Sequence, residues 1–193
     1  MQHQEGFFNG IRNTNIYYQY WRPEKPKAVV LIVHGLSEHS GRYMNVVNRL
    51  VPAGYAVYSL DHLGHGRSDG TKVHVETFAD YTETLKLYFD IVHTKEVGTK
   101  ETADYPFFLL GHSMGGLIAS AYLLEHQADF IGAILSAPAI KPPGEVPFFI
   151  KPIARFMSKY LPKREFVQLD TDAVSRDPDV VKAYVDDPLV YLG

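Results

Sequence analysis

Two hydrophobic patterns alternate along this chain. Residues 28–33, AVVLIV, are apolar at every position and rich in β-branched side chains, which predicts a central strand covered on both faces. Residues 16–22 (IYYQYWR), 55–60 (YAVYSL), 107–110 (FFLL) and 131–135 (IGAIL) read as further strands. Between them the apolar spacing lengthens to three and four. Residues 43–51 carry that spacing, with Gly54 as a stop, and residues 117–124 carry it again. Phe78, Tyr81, Leu85, Tyr88 and Val92 mark a long amphipathic helix over 75–92, followed by a charged surface loop over 95–105. Strand and helix in alternation predict an α/β fold with a mostly parallel sheet and flanking helices on both faces.

The pattern changes after Ser136. Residues 138–162 hold six of the chain's 12 prolines and offer no clean strand. The expected division is therefore a core over 1–137 and an inserted helical cap over 138–193, with the last part of the sheet missing. Within the cap, Phe149, Ile153, Phe156 and Tyr160 recur at helical steps, and Lys151, Arg155 and Lys159 line one edge. This amphipathic helix, interrupted near Pro152, either packs its apolar side on the body or meets a membrane or micelle surface and admits a lipid. The acidic stretch 170–187 lacks the glycine and final glutamate of a calcium loop and reads as cap helices, with Asp177 or Asp179 near a helix start.

Composition narrows the function classes. At 193 residues and 46% hydrophobic the chain is long enough for one real core. Lys plus Arg number 19 against 22 Asp plus Glu, a net charge of -3, which gives no global electrostatic reason to bind nucleic acid. Without cysteine there are no disulfides or thiolate metal sites. The polar start, MQHQEGFFNGIRNTN, has no apolar h-region, and no apolar run approaches the roughly 20 residues of a membrane span. A cytoplasmic protein, in places peripheral to a membrane, is expected.

The chemistry concentrates at Gly111-His112-Ser113-Met114-Gly115, a G-x-S-x-G string with a buried strand before it and a small-residue helix after it. Such a context suits a sharp turn that lifts a serine hydroxyl above the carboxyl end of a sheet. Small residues at Gly111 and Gly115 let strand and helix approach closely. The helix N-terminus then presents backbone N–H groups to a developing oxyanion.

Two further motifs stand in order with it: HGLSEHSGRY at 34–43 and DHLGHGRSDG at 61–70. Together the three resemble the α/β-hydrolase superfamily and, more narrowly, its monoglyceride lipase and lysophospholipase branch. SRDP (175–178) and DDPL (186–189) extend the likeness into the end of the cap. The resemblance implies a serine hydrolase of monoacylglycerol or lysophospholipid esters that needs no cofactor. It makes Ser113 the nucleophile and the backbone N–H groups of Leu36 and Met114 the oxyanion hole. His34, Gly35, Gly111, His112 and Gly115 would support elbow and loop. Glu38, His39, Arg42 and Tyr43 would either brace the loop or belong to a solvated loop with an N-cap at Ser40, and Asp61 would be a structural hydrogen-bond acceptor. An aminopeptidase shares such an elbow and stays open as an alternative, as does a binding protein without catalysis.

Five histidines (His34, His39, His62, His65, His112) fall near the strand ends. Their spacing does not form a ligand set for a metal, and loop histidines bonded to backbone carbonyls are expected instead. A serine nucleophile also needs a base. In this superfamily the chain order is serine, acid, histidine, yet no histidine follows His126, which lies too far along its helix to reach Ser113. The expectation is the front part of a longer hydrolase, with half of a split enzyme as the other catalytic possibility.

Overall fold

A computed structural model describes residues 1–97, 105–141, 171 and 174–192. Six strands, β1 (Gln2–Asn9), β2 (Asn15–Arg22), β3 (Ala28–Val33), β4 (Tyr55–Leu60), β5 (Phe107–His112) and β6 (Gly132–Ser136), form one sheet. Their spatial order is β1-β2-β4-β3-β5-β6. The β1–β2 hairpin and the β2–β4 pairing are antiparallel, and β4-β3-β5-β6 pair in parallel. Helices α1 (Met44–Leu50), α2 (Ala79–Val97) and α3 (Met114–His126) are the crossovers, and α4 (Pro178–Val185) follows later in the chain.

The buried run AVVLIV sorts its side chains by the two-residue period of a strand. Val29, Leu31 and Val33 face a large core with Leu85, Tyr88 and Val92 of α2 and Ile118, Ala119 and Tyr122 of α3. Val30 and Ile32 point the other way, to Val47 of α1 and to Trp21 and Val57. Both faces of β3 are thereby sealed, and its carboxyl end is fixed as the floor of whatever the following loop builds.

The structure departs from expectation in three places. The polar N-terminus is a strand: β1 lies at the sheet edge, where its exposed side chains need no apolar pattern. Helix α2 begins at Ala79 rather than 75, because the Asp80 carboxylate reaches back to the Thr77 N–H (3.2 Å) as in a capping box. The same helix runs on through Val97 into the stretch read as loop, since Glu96 is buried and bound by Arg22 Nε at 3.0 Å and by the Tyr58 hydroxyl. α4 begins as the sequence suggests, with Asp177 accepting from the Asp179 N–H at 2.9 Å. The amphipathic stretch 146–166 lies outside the described residues.

Candidate active site

One residue separates β5 from α3, and it is Ser113. Its backbone sits at φ 53°, ψ -118°, a left-handed conformation that costs a non-glycine residue about 1–3 kcal/mol. The cause is how closely the helix docks. A Cβ on Gly115 would lie 2.0 Å from the Val33 carbonyl oxygen and 2.4 Å from that of His34. One on Gly111 would lie 2.5 Å from the Gly115 oxygen and 2.9 Å from Ala119 Cβ. Glycine at both positions lets α3 rest directly on the strand ends, and the chain turns through Ser113 to get there. The Ser113 N–H donates to Ser136 O at 3.0 Å, and its carbonyl accepts from Ala139 N–H at 3.0 Å. His112 sets Nδ1 3.2 Å from Ser136 Oγ, tying the elbow to the end of β6. The Ser113 hydroxyl has no hydrogen-bond partner among the described residues.

The loop after β3 lies against this elbow. A Cβ on Gly35 would fall 3.4 Å from Ser113 Cβ and 3.5 Å from the His112 oxygen. The loop is held from several sides. Glu38 Oε1 accepts from the Gly35 N–H (2.6 Å) and from the Tyr43 hydroxyl (2.8 Å), while Arg42 Nε stands 3.6 Å from Glu38 Oε2. Burial and the adjacent Glu38 charge push the Tyr43 hydroxyl pKa far up, so it stays a donor. His34, fully buried, accepts from the His62 N–H through Nε2 (2.9 Å), so Nδ1 carries the proton and donates to the Gly35 oxygen at 2.8 Å. The Leu36 N–H is taken by no acceptor among the described residues. Met114, first residue of α3, has an N–H that the helix leaves free.

A third contact to this loop comes from far along the chain. His39 accepts from the Gly41 N–H through Nδ1 (3.2 Å), which leaves Nε2–H to donate to Asp187 Oδ2 at 2.9 Å. The Tyr191 N–H donates to the Ser37 oxygen (3.1 Å), and the Arg42 guanidinium stacks 4.6 Å from the centre of the Tyr184 ring. Burial raises the Asp187 carboxyl pKa, but the hydrogen bonds from His39 and the Leu189 N–H outweigh it, and the net shift is downward. Asp187, Tyr184 and Tyr191 carry no chemical motif of their own, and only the DDPL likeness pointed to their neighbourhood.

The loop after β4 is built around Asp61, which is fully buried. Its Oδ1 accepts from the Ser40 N–H (2.8 Å) and hydroxyl (2.6 Å), and its Oδ2 from the Arg67 N–H (2.9 Å). Asp61 is thus the structural acceptor its motif suggested, and it joins the two loops. Beneath them the His34, His62 and His65 rings cluster with centroids 4.3–6.3 Å apart, and Tyr81 is edge-on to both His62 and His65. Burial lowers the pKa of all three histidines, that of His65 to about 4. His34 and His65 bond backbone carbonyls as expected, whereas both ring nitrogens of His62 are buried without a partner among the described residues. Among those residues no group of three or more His, Asp or Glu is arranged to hold a metal.

Gly35 therefore lies against His112 and Ser113, with Leu36 next after Gly35 in the loop and Met114 next after Ser113 at the start of α3. No helix among the described residues is long and apolar enough to cross a membrane. The family described as serine aminopeptidase, S33 matches residues 24–193. A monoacylglycerol lipase of Mycolicibacterium smegmatis is 38% identical over 190 residues, 98% of this chain and 66% of that protein. The human monoglyceride lipase is 32% identical over 91% of this chain and 56% of its own length. The crystal structure of a monoacylglycerol lipase of Paleococcus ferrophilus superposes with a TM-score of 0.75 at 32% identity, covering 92% of this chain and 64% of that one. The chain thus spans between about half and two-thirds of these relatives. A mixed sheet with four parallel strands, a strained serine between strand and helix, and a family match over most of the length lead to one assignment: this chain belongs to the serine aminopeptidase S33 family of α/β-hydrolases.

Proposed function

We propose that the protein is a serine hydrolase of lipid esters, with monoacylglycerols or lysophospholipids as substrates. Ser113 Oγ attacks the acyl carbonyl. The tetrahedral oxygen is received by the Leu36 and Met114 N–H groups, the glycerol or lysolipid alcohol leaves, and water then releases the fatty acid. Each such donor is worth roughly 3 kcal/mol of barrier. The single observation that carries this reading is the left-handed backbone of Ser113 at the strand–helix junction, a strain that elbows of this kind retain at nucleophiles. Relatives that are monoacylglycerol lipases support the substrate class.

The attacking hydroxyl must lose a proton, and no imidazole or carboxylate among the described residues hydrogen-bonds it. We infer that the base is a histidine outside these 193 residues, with an acid that orients it. The basic residues Lys151, Arg155 and Lys159 would serve to meet anionic lipid. An ester panel and an aminoacyl-amide panel on the gene product that carries these residues decide between lipid esterase and the aminopeptidase that the family's description favours. Ester turnover with fluorophosphonate labelling, both abolished by Ser113→Ala, is the expected result. Amide turnover without ester turnover overturns the reading. Turnover by residues 1–193 alone would refute the inferred outside base.

A further inference from the structure

The loop after β3 contains a second strained residue. Ser37, directly after Leu36, holds φ at 60°, in the left-handed region that a serine avoids. A residue in that state persists only where its surroundings leave it no alternative. On one side the loop has its own braces, Glu38 with Tyr43 and Arg42. The Ser37 carbonyl itself is held by the N–H of Tyr191, more than 150 residues later. That later segment is in turn anchored by Asp187, whose two oxygens divide the work: Oδ1 accepts from Leu189 N–H and closes its own turn, and Oδ2 takes the proton-bearing Nε2 of His39. The His39 ring is oriented for this by Gly41 N–H on Nδ1, and a Cβ on Gly41 would lie 2.9 Å from that ring, so the glycine makes the room. The buried Tyr184 ring against Arg42 closes the same junction from α4.

We propose that His39 and Asp187 are a positioning pair for the reaction: by clamping residues 184–191 onto the loop after β3, they keep Ser37 strained and the Leu36 N–H aimed at the oxyanion. The proposal rests on the esterase reading of Ser113 and goes beyond it in giving the distant segment a catalytic consequence. Neither side chain touches the reacting atoms. With the clamp released, Ser37 relaxes toward an ordinary backbone conformation and carries the preceding N–H away. A donor that acts on the tetrahedral oxygen rather than on the ground-state ester lowers kcat when it is lost and leaves KM nearly unchanged.

The test compares His39→Ala, Asp187→Ala, the double variant and His39→Gln in the gene product that carries these residues. Glutamine retains an N–H donor near the place of the imidazole Nε2. Ester kinetics are read beside hydrogen exchange at the Val190 and Tyr191 amides, which donate to the Asp187 and Ser37 carbonyls. We expect each alanine variant to lose ten- to about a hundredfold in kcat, the range a displaced catalytic geometry produces, with KM within about twofold. Exchange at the two amides should rise, the double variant should be little worse than either single one, and His39→Gln should recover most of the rate. Losses that multiply in the double variant, or kcat unchanged while exchange rises, overturn the positioning role. Exchange that stays the same in both alanine variants overturns the clamp itself. If the wild type hydrolyses no ester, the esterase reading fails on its own account, and the exchange measurement still decides the clamp.

Discussion

β3 and β6 are both apolar strands of one parallel sheet, and they meet opposite surroundings. Every residue of β3 is buried, with α1 on one face and α2 and α3 on the other. Among the described residues β6 pairs with β5 alone, and Ile134 stands 55% exposed, with Ile131 just before the strand at 68%. Both carry aliphatic side chains, AVVLIV against GAILS, and what separates Ile32 from Ile134 is what covers each of them. An apolar run states that a strand can be buried, and the neighbouring elements decide whether it is. The elbow sits between the two conditions, its floor set by the sealed strand β3 and one flank by the open strand β6.

Four changes would break or sharpen this contrast. Gly115→Ala strikes where the sealed side is tightest, because the added Cβ meets two backbone carbonyls that cannot give way. A cost above about 4 kcal/mol, seen as loss of the cooperative urea transition, is expected. Next, acid should loosen the sealed side. His65 takes its proton near pH 4 when folded and near 6.5 when unfolded. Between those values the unfolded chain holds the extra proton, so stability falls as the pH drops through the window, by roughly 3 kcal/mol for this group. His34 and His62 add to the slope in the same direction. Urea midpoints against pH should therefore flatten in His65→Asn. Of similar size, Leu31→Ala should cost about 2–5 kcal/mol and Ile134→Ala less than about 1, and equal costs would erase the contrast. Smallest in stability is Ile134→Lys on the exposed edge. It should leave the unfolding midpoint within about 0.5 kcal/mol while reducing concentration-dependent association of residues 1–193 in sedimentation velocity.

The sequence pattern located β2 through β6, the three crossover helices and the start of α4, because each of those elements buries an apolar face or wears a recognisable cap. It did not show β1, whose side chains face solvent along an edge, nor the last turn of α2, where the charged Glu96 is buried because Arg22 and Tyr58 lie opposite. The same logic governs the site. Gly111, Ser113 and Gly115 were readable since a tight strand–helix turn imposes residue types at fixed spacing. The bracing of Glu38 by Arg42 and Tyr43 was readable too, all three lying within six residues. The His39–Asp187 contact was not, because it joins positions 148 apart and depends on where the chain returns.

The Asp61 carboxylate, finally, makes the two loops one inheritable unit. It accepts from Ser40 and from the Arg67 N–H, Gln19 donates to the Ser40 hydroxyl, and a side chain at Gly66 would strike the carboxylate at 2.1 Å. A mutation at any of these positions changes the selective value of the others. Across descendants of this sequence, positions 19, 40, 61 and 66 should therefore drift together or stand still together, while the outer surface of α2 varies freely.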